Sequence, residues 1–463
     1  MLGVKPFVND ITAEYIRACR DDYGLRQASV DLALPETYAA SYAKLLLARP
    51  LLIEQREMVR FADDLIGLFD LLVSLPARCF DGDLRRYCRA LGMDAPLADL
   101  IRLGATGRPQ LYGRADAYHD GTSLKLLEFN VGSELGGIDT AQLNRAYGEV
   151  EPFGHFARHH GLTYVDTAAI LADALRAAAP AQIAGPDPVV ALVEGVGGLA
   201  DHEHVFLAIQ EAMRPHRIDL ILGELDRVSS VRDKVWLDGR PIDVVLRYFS
   251  AGQVLADPRG RDALNLLTRA HEAGRTTLFT PLEGALFATK ASLALVHAPD
   301  LRAAFTPDER AVVDRIVPWT RIVATTSDGG APGDQRELLD RCRAERESLI
   351  LKPGIGYGGV GAVLGREVGD REWADALAGV AGRDYVVQRI VVPAAEPVCD
   401  PYTGQLEDWR ANWGVFATRD GYAGAFVRAL KASDGSVISY SNPGTRGTCV
   451  FTYPSEAVRG ESA

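Results

Sequence analysis

Positions 351–361 of this chain, Leu-Lys-Pro-Gly-Ile-Gly-Tyr-Gly-Gly-Val-Gly, restrict its fold more than any other segment. Apolar runs at 348–351 and 360–364 predict a strand on either side, which makes the glycines the tip of a β-hairpin. Glycines let backbone amides approach phosphate oxygens with no Cβ in the way, and Lys352 beside them supplies positive charge. Gly354, Gly356 and Gly359 match a GxGxxG spacing. A dinucleotide fingerprint, however, opens a helix and is followed by an acidic residue about twenty positions on. Here a strand follows, and no Gly-Lys-Ser/Thr ends the loop as in a Walker motif. The expectation is a flap folded over a nucleotide, with Gly354, Gly356, Gly358 and Gly359 against its phosphates. A plain surface turn would have no need of Lys352.

A second constellation lies far upstream. Residues 110–118 and 123–130 read as strands joined by the turn His119-Asp120-Gly121-Thr122, with Asp-Gly as the hairpin signal. Side chains alternate along a strand, so Arg114 and Asp116 share one face, and Glu128 and Asn130 share another. Pairing through the turn sets Asp116 across from Glu128 and Asn130. Two carboxylates and an amide oxygen are hard ligands suited to magnesium on nucleotide phosphates. Arg114 can then face a phosphoryl group in transfer. Taken alone, the same pattern also suits a solvated amphipathic hairpin.

The rest of the chain supplies the frame. Its 463 residues imply two or three packed domains. Residues 1–105 read as mostly helical, with apolar residues at three- and four-residue steps through Tyr42, Leu45, Leu46, Leu52, Val59, Phe61, Leu65 and Leu68. Between 187 and 250, strands at 189–193, 218–222 and 243–247 alternate with a helix at 205–213, which argues for a parallel sheet. Further strands are expected at 385–392, 413–418 and 423–430 and a helix at 373–380. Segment 393–409 reads as an exposed loop or lid. The domain expectation is 1–105 helical, 106–180 metal-site strands and following helices, 185–272 an α/β substrate-side domain, and 273–455 the nucleotide-binding region.

A net charge of −12 repels nucleic-acid backbones and anionic lipid, so neither is an expected partner. No apolar run is long enough to span a membrane, and residues 1–10 do not read as a signal peptide. The six cysteines are scattered without a CxxC pair, which favours reduced thiols and a cytoplasmic location. Asp201-His202-Glu203-His204 is too crowded to face one ion and reads as a solvated helix start. His155, His159 and His160 read as surface histidines, and Cys399 as a bystander.

The run GRADAYHDGTSLKLLEFN resembles the magnesium-site strands of the glutathionylspermidine synthetase family, a circularly permuted branch of the ATP-grasp ligases. There an Arg and an Asp one residue apart precede a Glu-x-Asn pair, matched here by Arg114, Asp116, Glu128 and Asn130. Ser133 matches a family serine near the acyl phosphate. ATKASLALV is similar to the stretch bearing a first nucleotide lysine, Lys290, and Lys352 corresponds to the second. YVVQRIVVP resembles the strand into the adenine hinge, which implies Gln388, Arg389, Ile390 and Val391 beside the base. WGVFATRDGYAGAFVR is similar to the terminal strands and implies a phosphate-binding Arg428. IDVVLRYF looks like a strand of the preceding substrate-side domain. The metal motif precedes the glycine loop, as in the permuted branch. The amidase domain of some members is absent, and the family's substrates are not inherited.

The resemblance implies an α/β (α+β) ATP-grasp fold of permuted connectivity with a Rossmann-like substrate domain and a helical N-terminal region. It implies ATP and two Mg²⁺ ions as cofactors, and small-molecule or peptide carboxylate and amine substrates. Arg114, Arg428 and Ser133 are the expected catalytic residues of a ligase that works through an acyl phosphate. A kinase on the same scaffold and a non-catalytic nucleotide-binding module are the alternatives, and homo-oligomerisation stays open.

Overall fold

The computed structural model describes residues 9–455 apart from 106, 108, 181–186, 324–331, 357–358 and 381–382. Its largest sheet has seven strands. Edge to edge they run Leu51–Glu54, Arg446–Tyr453, Gly421–Lys431, Leu406–Thr418, Tyr112–His119 and Leu124–Val131, with Ala395–Cys399 paired to the first half of Leu406–Thr418. Only Leu51–Glu54 runs parallel to its neighbour. The long helix Gln55–Cys79 covers one face, because Met58, Phe61, Leu65, Leu68, Leu72 and Leu75 recur at three- and four-residue steps and are all buried. The other face meets a second core built from Ile138, Leu171, Leu175, Phe416 and Phe426.

That second core joins the large sheet to a four-stranded parallel sheet, ordered Thr277–Phe279, Val244–Arg247, Val190–Glu194, Leu220–Glu224. The continuous apolar runs expected to form it do so, since strands covered on both faces need no polar alternation. Unforeseen is a small three-stranded antiparallel sheet inserted at Val228–Val231, Lys234–Leu237 and Arg240–Pro241. Its first turn sets Arg232 and Asp233 at φ 51° and 60°, so the usual glycine signal is missing there.

A third sheet carries the glycine loop. It is antiparallel throughout, in the order Thr320–Ile322, Tyr385–Arg389, Leu349–Pro353, Val363–Leu364. Trp373 and Leu377 of the helix Asp370–Gly379 and Leu338 of the helix Pro332–Ala344 pack beneath it. Among the described residues no helix is long and apolar enough to cross a membrane.

Several expectations are corrected. The apolar stripe through Leu45 to Leu68 is not one helix: Leu51–Glu54 is a buried strand, and Val59 is exposed. The expected strand over 360–364 shortens to Val363–Leu364, because Gly359 and Gly361 hold φ 77° and 76° and keep the chain turning. Segment 393–409 is an exposed turn only around Tyr402; most of the rest is sheet rather than loop or lid. Ala395–Cys399 is a sheet strand, and its Glu396 makes a fully buried ion pair with Arg49 at 2.7 Å. His160 is buried rather than on the surface, 3.4 Å from Glu14, whereas His155 and His159 are exposed. The six cysteines are free thiols, and Cys399 is buried.

Candidate active site

The hairpin Tyr112–His119 and Leu124–Val131 forms with Asp116 opposite Glu128 and Arg114 opposite Asn130. A β-bulge at Leu127 keeps the two acidic positions in register and turns Leu127 toward the same pocket. Strand Leu406–Thr418 pairs on the hairpin's outer side, and Gly421–Lys431 pairs with that strand, which brings Arg428 over Asp116. Asp116 therefore receives Arg114 Nε at 2.8 Å and Arg428 Nη2 at 2.5 Å. Burial pushes its carboxyl up, but the two guanidiniums outweigh burial and hold it well below the usual carboxylate range. Asp116 is thus ionised at any working pH.

The glycine loop is tied to this hairpin through Lys290. Thr289 caps the short helix Lys290–Leu295, and the Lys290 amide donates to the Gly354 carbonyl at 2.9 Å. Lys290 Nζ donates to the Gly356 carbonyl at 3.4 Å and lies 2.7 Å from Glu128. One side chain thus spans the loop and the acidic pair. Lys352, on the strand that leads into the loop, donates to Gln388 Oε1 at 2.8 Å, and Gln388 in turn donates to Thr320. Burial, and then the neighbouring charge of Lys290, lowers Lys352 to about 8. Gly354 packs so closely on the carboxylate of Asp384 that no Cβ fits there. A Cβ on Gly359 would meet the Val437 side chain.

Between the glycine-loop sheet and the large sheet lies a pocket lined by both. Lys290, Lys352, Arg366, Arg389, Arg410 and Arg428 line it against two acidic residues, Asp116 and Glu128. In a chain of net charge −12, such an excess of cations marks a site for a polyanion. Arg428 Nε and Asn412 Oδ1 are buried without a partner, so polar valences remain for a ligand. Ile350, Leu364, Ile390 and Val391 add apolar surface to its lining. A magnesium ion fits the donor set: an ionised Asp116 beside the partly accessible Glu128, on paired strands, both on the pocket wall.

Of the residues singled out in the sequence, Asp116, Glu128, Lys290, Lys352, Gly356, Gly359, Gln388, Arg389, Ile390, Val391 and Arg428 come together around this pocket. Gly354 lies just behind it. Gly358 lies outside the described residues. Asn130 sits opposite Arg114, with its amide 3.4 Å from the Arg114 carbonyl, off the pocket wall. Arg114 faces a second cavity, which shares Arg428 with the first. Ser133 is fully buried away from the pocket, bonded to the Arg247 carbonyl and the Thr280 hydroxyl. Arg389 turns its guanidinium to Glu345 at 2.8 Å. Sequence reasoning missed Arg366, Arg410, Asn412 and the segment 436–439. For Arg410 and Asn412 the signal was available, since they lie in phase on the strand that pairs with the one bearing Arg428.

No family model matches this sequence, and no curated protein matches it. Among solved structures it is similar to a glutathione synthetase-like effector from Globodera pallida in its apo form. The TM-score is 0.57 at 14% identity, over 97% of this chain and 100% of that one. A gamma-glutamylcysteine synthetase candidate from Methylobacillus flagellatus gives a TM-score of 0.45 at 13% identity, over 87% and 89% of the two chains. D-alanyl-alanine synthetase A from Vibrio cholerae gives 0.27 at 13%, over 50% and 68%. The first likeness carries the fold alone: the mixed α/β architecture is shared along nearly the whole length of both chains.

Proposed function

We propose that this protein is an ATP- and Mg²⁺-dependent carboxylate–amine ligase, built on an ATP-grasp fold of permuted order, that releases ADP and phosphate. The observation that carries the reading is the cation-rich pocket between two sheets, with Asp116 and Glu128 paired on its wall and the glycine loop across it. Support for the fold comes from the glutathione synthetase-like neighbour. Support for the permuted order comes from the acidic hairpin preceding the loop in the chain.

In this reading Lys290 and Lys352 hold the phosphates, and Gln388 to Val391 flank the base. Asp116 and Glu128 would hold magnesium, which would screen the phosphate charge and polarise the γ-phosphoryl group, while Asn130, off the pocket wall, takes no part. Arg428 and Arg114 steady the equatorial oxygens while a substrate carboxylate attacks phosphorus. The resulting acyl phosphate is then open to an amine. Positioning and charge neutralisation suffice for phosphoryl transfer, so no nucleophile from the protein is needed.

A screen of carboxylates for ATP-dependent formation of a hydroxamate with hydroxylamine tests this, because hydroxylamine intercepts an acyl phosphate. A hydroxamate with stoichiometric ADP supports the ligase. ADP formation with a stable phosphorylated product and no amide in the presence of any amine would make it a kinase.

A further inference from the structure

The second cavity, of about 570 Å³, lies on the far side of the arginine pair, with Arg114, Phe426 and Arg428 on its wall. Asp139, just ahead of the helix Ala141–Glu149, also lines it. Asp139 is 2% exposed, and its Oδ2 has no hydrogen-bond partner. An ionisable group buried without a partner is costly, and a protein keeps one where a ligand completes it. Burial pushes the Asp139 carboxyl up to about 7, and Tyr38, Tyr42 and Tyr440, three aromatic side chains near enough to feel its charge, line the same cavity. Tyr38 and Tyr42 lean on one another with ring centroids 4.8 Å apart. A carboxylate among aromatic rings is a receptor for an ammonium group, through a charge-assisted hydrogen bond and cation–π attraction. Two arginines on the same lining, Arg114 and Arg428, favour a carboxylate.

We propose that this cavity binds the acid to be activated as an amino acid or amino-acid-like zwitterion, with its carboxylate toward Arg114 and Arg428 and its ammonium group on Asp139. The assignment rests on the ligase reading for what happens to the carboxylate, but not for the binding itself. Asp139 is a specificity-determining residue and takes no part in phosphoryl transfer.

Calorimetric titration of the full-length protein, without nucleotide, tests it. The probes are beta-alanine, gamma-aminobutyrate and epsilon-aminocaproate against propionate, butyrate and caproate. At least one amino acid binds about tenfold or more tightly than its deaminated partner, the scale of one charge-assisted hydrogen bond. Asp139→Asn, which preserves shape, removes that preference and leaves the affinity of the plain acid within about twofold. Tyr42→Leu, which keeps Asp139 but removes one ring, reduces the preference in the same direction. Equal binding of aminated and plain acids by the wild-type protein, or a preference that survives Asp139→Asn, would overturn the assignment. Titrating Mg-ATP alongside separates the two readings. A protein that binds Mg-ATP without distinguishing the acids loses only this inference. One that distinguishes them through Asp139 but binds no nucleotide loses the ligase reading instead.

Discussion

Lys290 Nζ lies 2.7 Å from Glu128 Oε2, so a cation at the root of the glycine loop is held by the acidic hairpin of the other sheet. The proposed chemistry separates the two, sending Glu128 to magnesium and Lys290 to a phosphate. Glu128→Gln should therefore act with opposite signs. Turnover should fall by about 100-fold or more through loss of a metal ligand. Affinity for ATP in EDTA should rise a few-fold, because Lys290 no longer has a competing partner. Parallel measurements of turnover and metal-free binding check the pair of signs.

Lys352 titrates near 8 because burial and Lys290 disfavour its charge. Phosphate stabilises that charge, so ATP binding should take up a proton near pH 8. Affinity should be flat below that and fall toward about tenfold per pH unit above it. The stability effect has the other sign: a lowered lysine pKa costs stability below about 8, and the cost fades as pH rises toward the ordinary lysine value of 10.5. Lys352→Arg should flatten the binding profile, since arginine stays charged. Calorimetry in buffers of different ionisation heat reads the proton uptake directly.

Gly354 has no room for a Cβ because the Asp384 carboxylate stands against it. Gly354→Ala should displace the loop root and raise KM for ATP by about tenfold, the scale expected for misplaced phosphate-binding groups. Adding Asp384→Ala, which clears the space, should recover most of the loss. Burial raises Asp384 to about 6, so its charge is a burden on the fold above that pH and the second change should not destabilise the protein. KM measurements and melting curves of the single and double variants decide it.

Arg49 and Glu396 form a buried ion pair that fastens the strand Ala395–Cys399 into the core. Glu396→Ala should cost about 3–5 kcal/mol, because it strands a buried guanidinium. Nucleotide affinity at permissive temperature should hardly change. Chemical denaturation alongside ATP titration separates the two effects, which a mobile lid would reverse.

The residues most legible in the sequence were those that obey local rules. Asp-Gly fixed the hairpin, period-2 alternation set Asp116 across from Glu128, and apolar runs marked the parallel sheet. What escaped notice depends on partners distant in the chain. Glu396 looks like a loop residue until Arg49, far upstream, neutralises it inside the core. Leu51–Glu54 continues a helical apolar pattern and becomes a strand only because Arg446–Tyr453 offers it an edge. Arg366 and the segment 436–439 join the pocket from separate parts of the chain that no short motif links. Asp139 carries no motif at all; only burial reveals it.

The central claim, a Mg-ATP site between the two sheets, is tested most directly by calorimetric titration of ATP with and without magnesium. Wild-type protein and Asp116→Asn, the variant checked for native circular dichroism, are compared side by side. The account predicts magnesium-enhanced binding to one site in the wild-type protein and loss of the enhancement in the variant. No binding of ATP to the wild-type protein, or an identical magnesium effect in both, would contradict it.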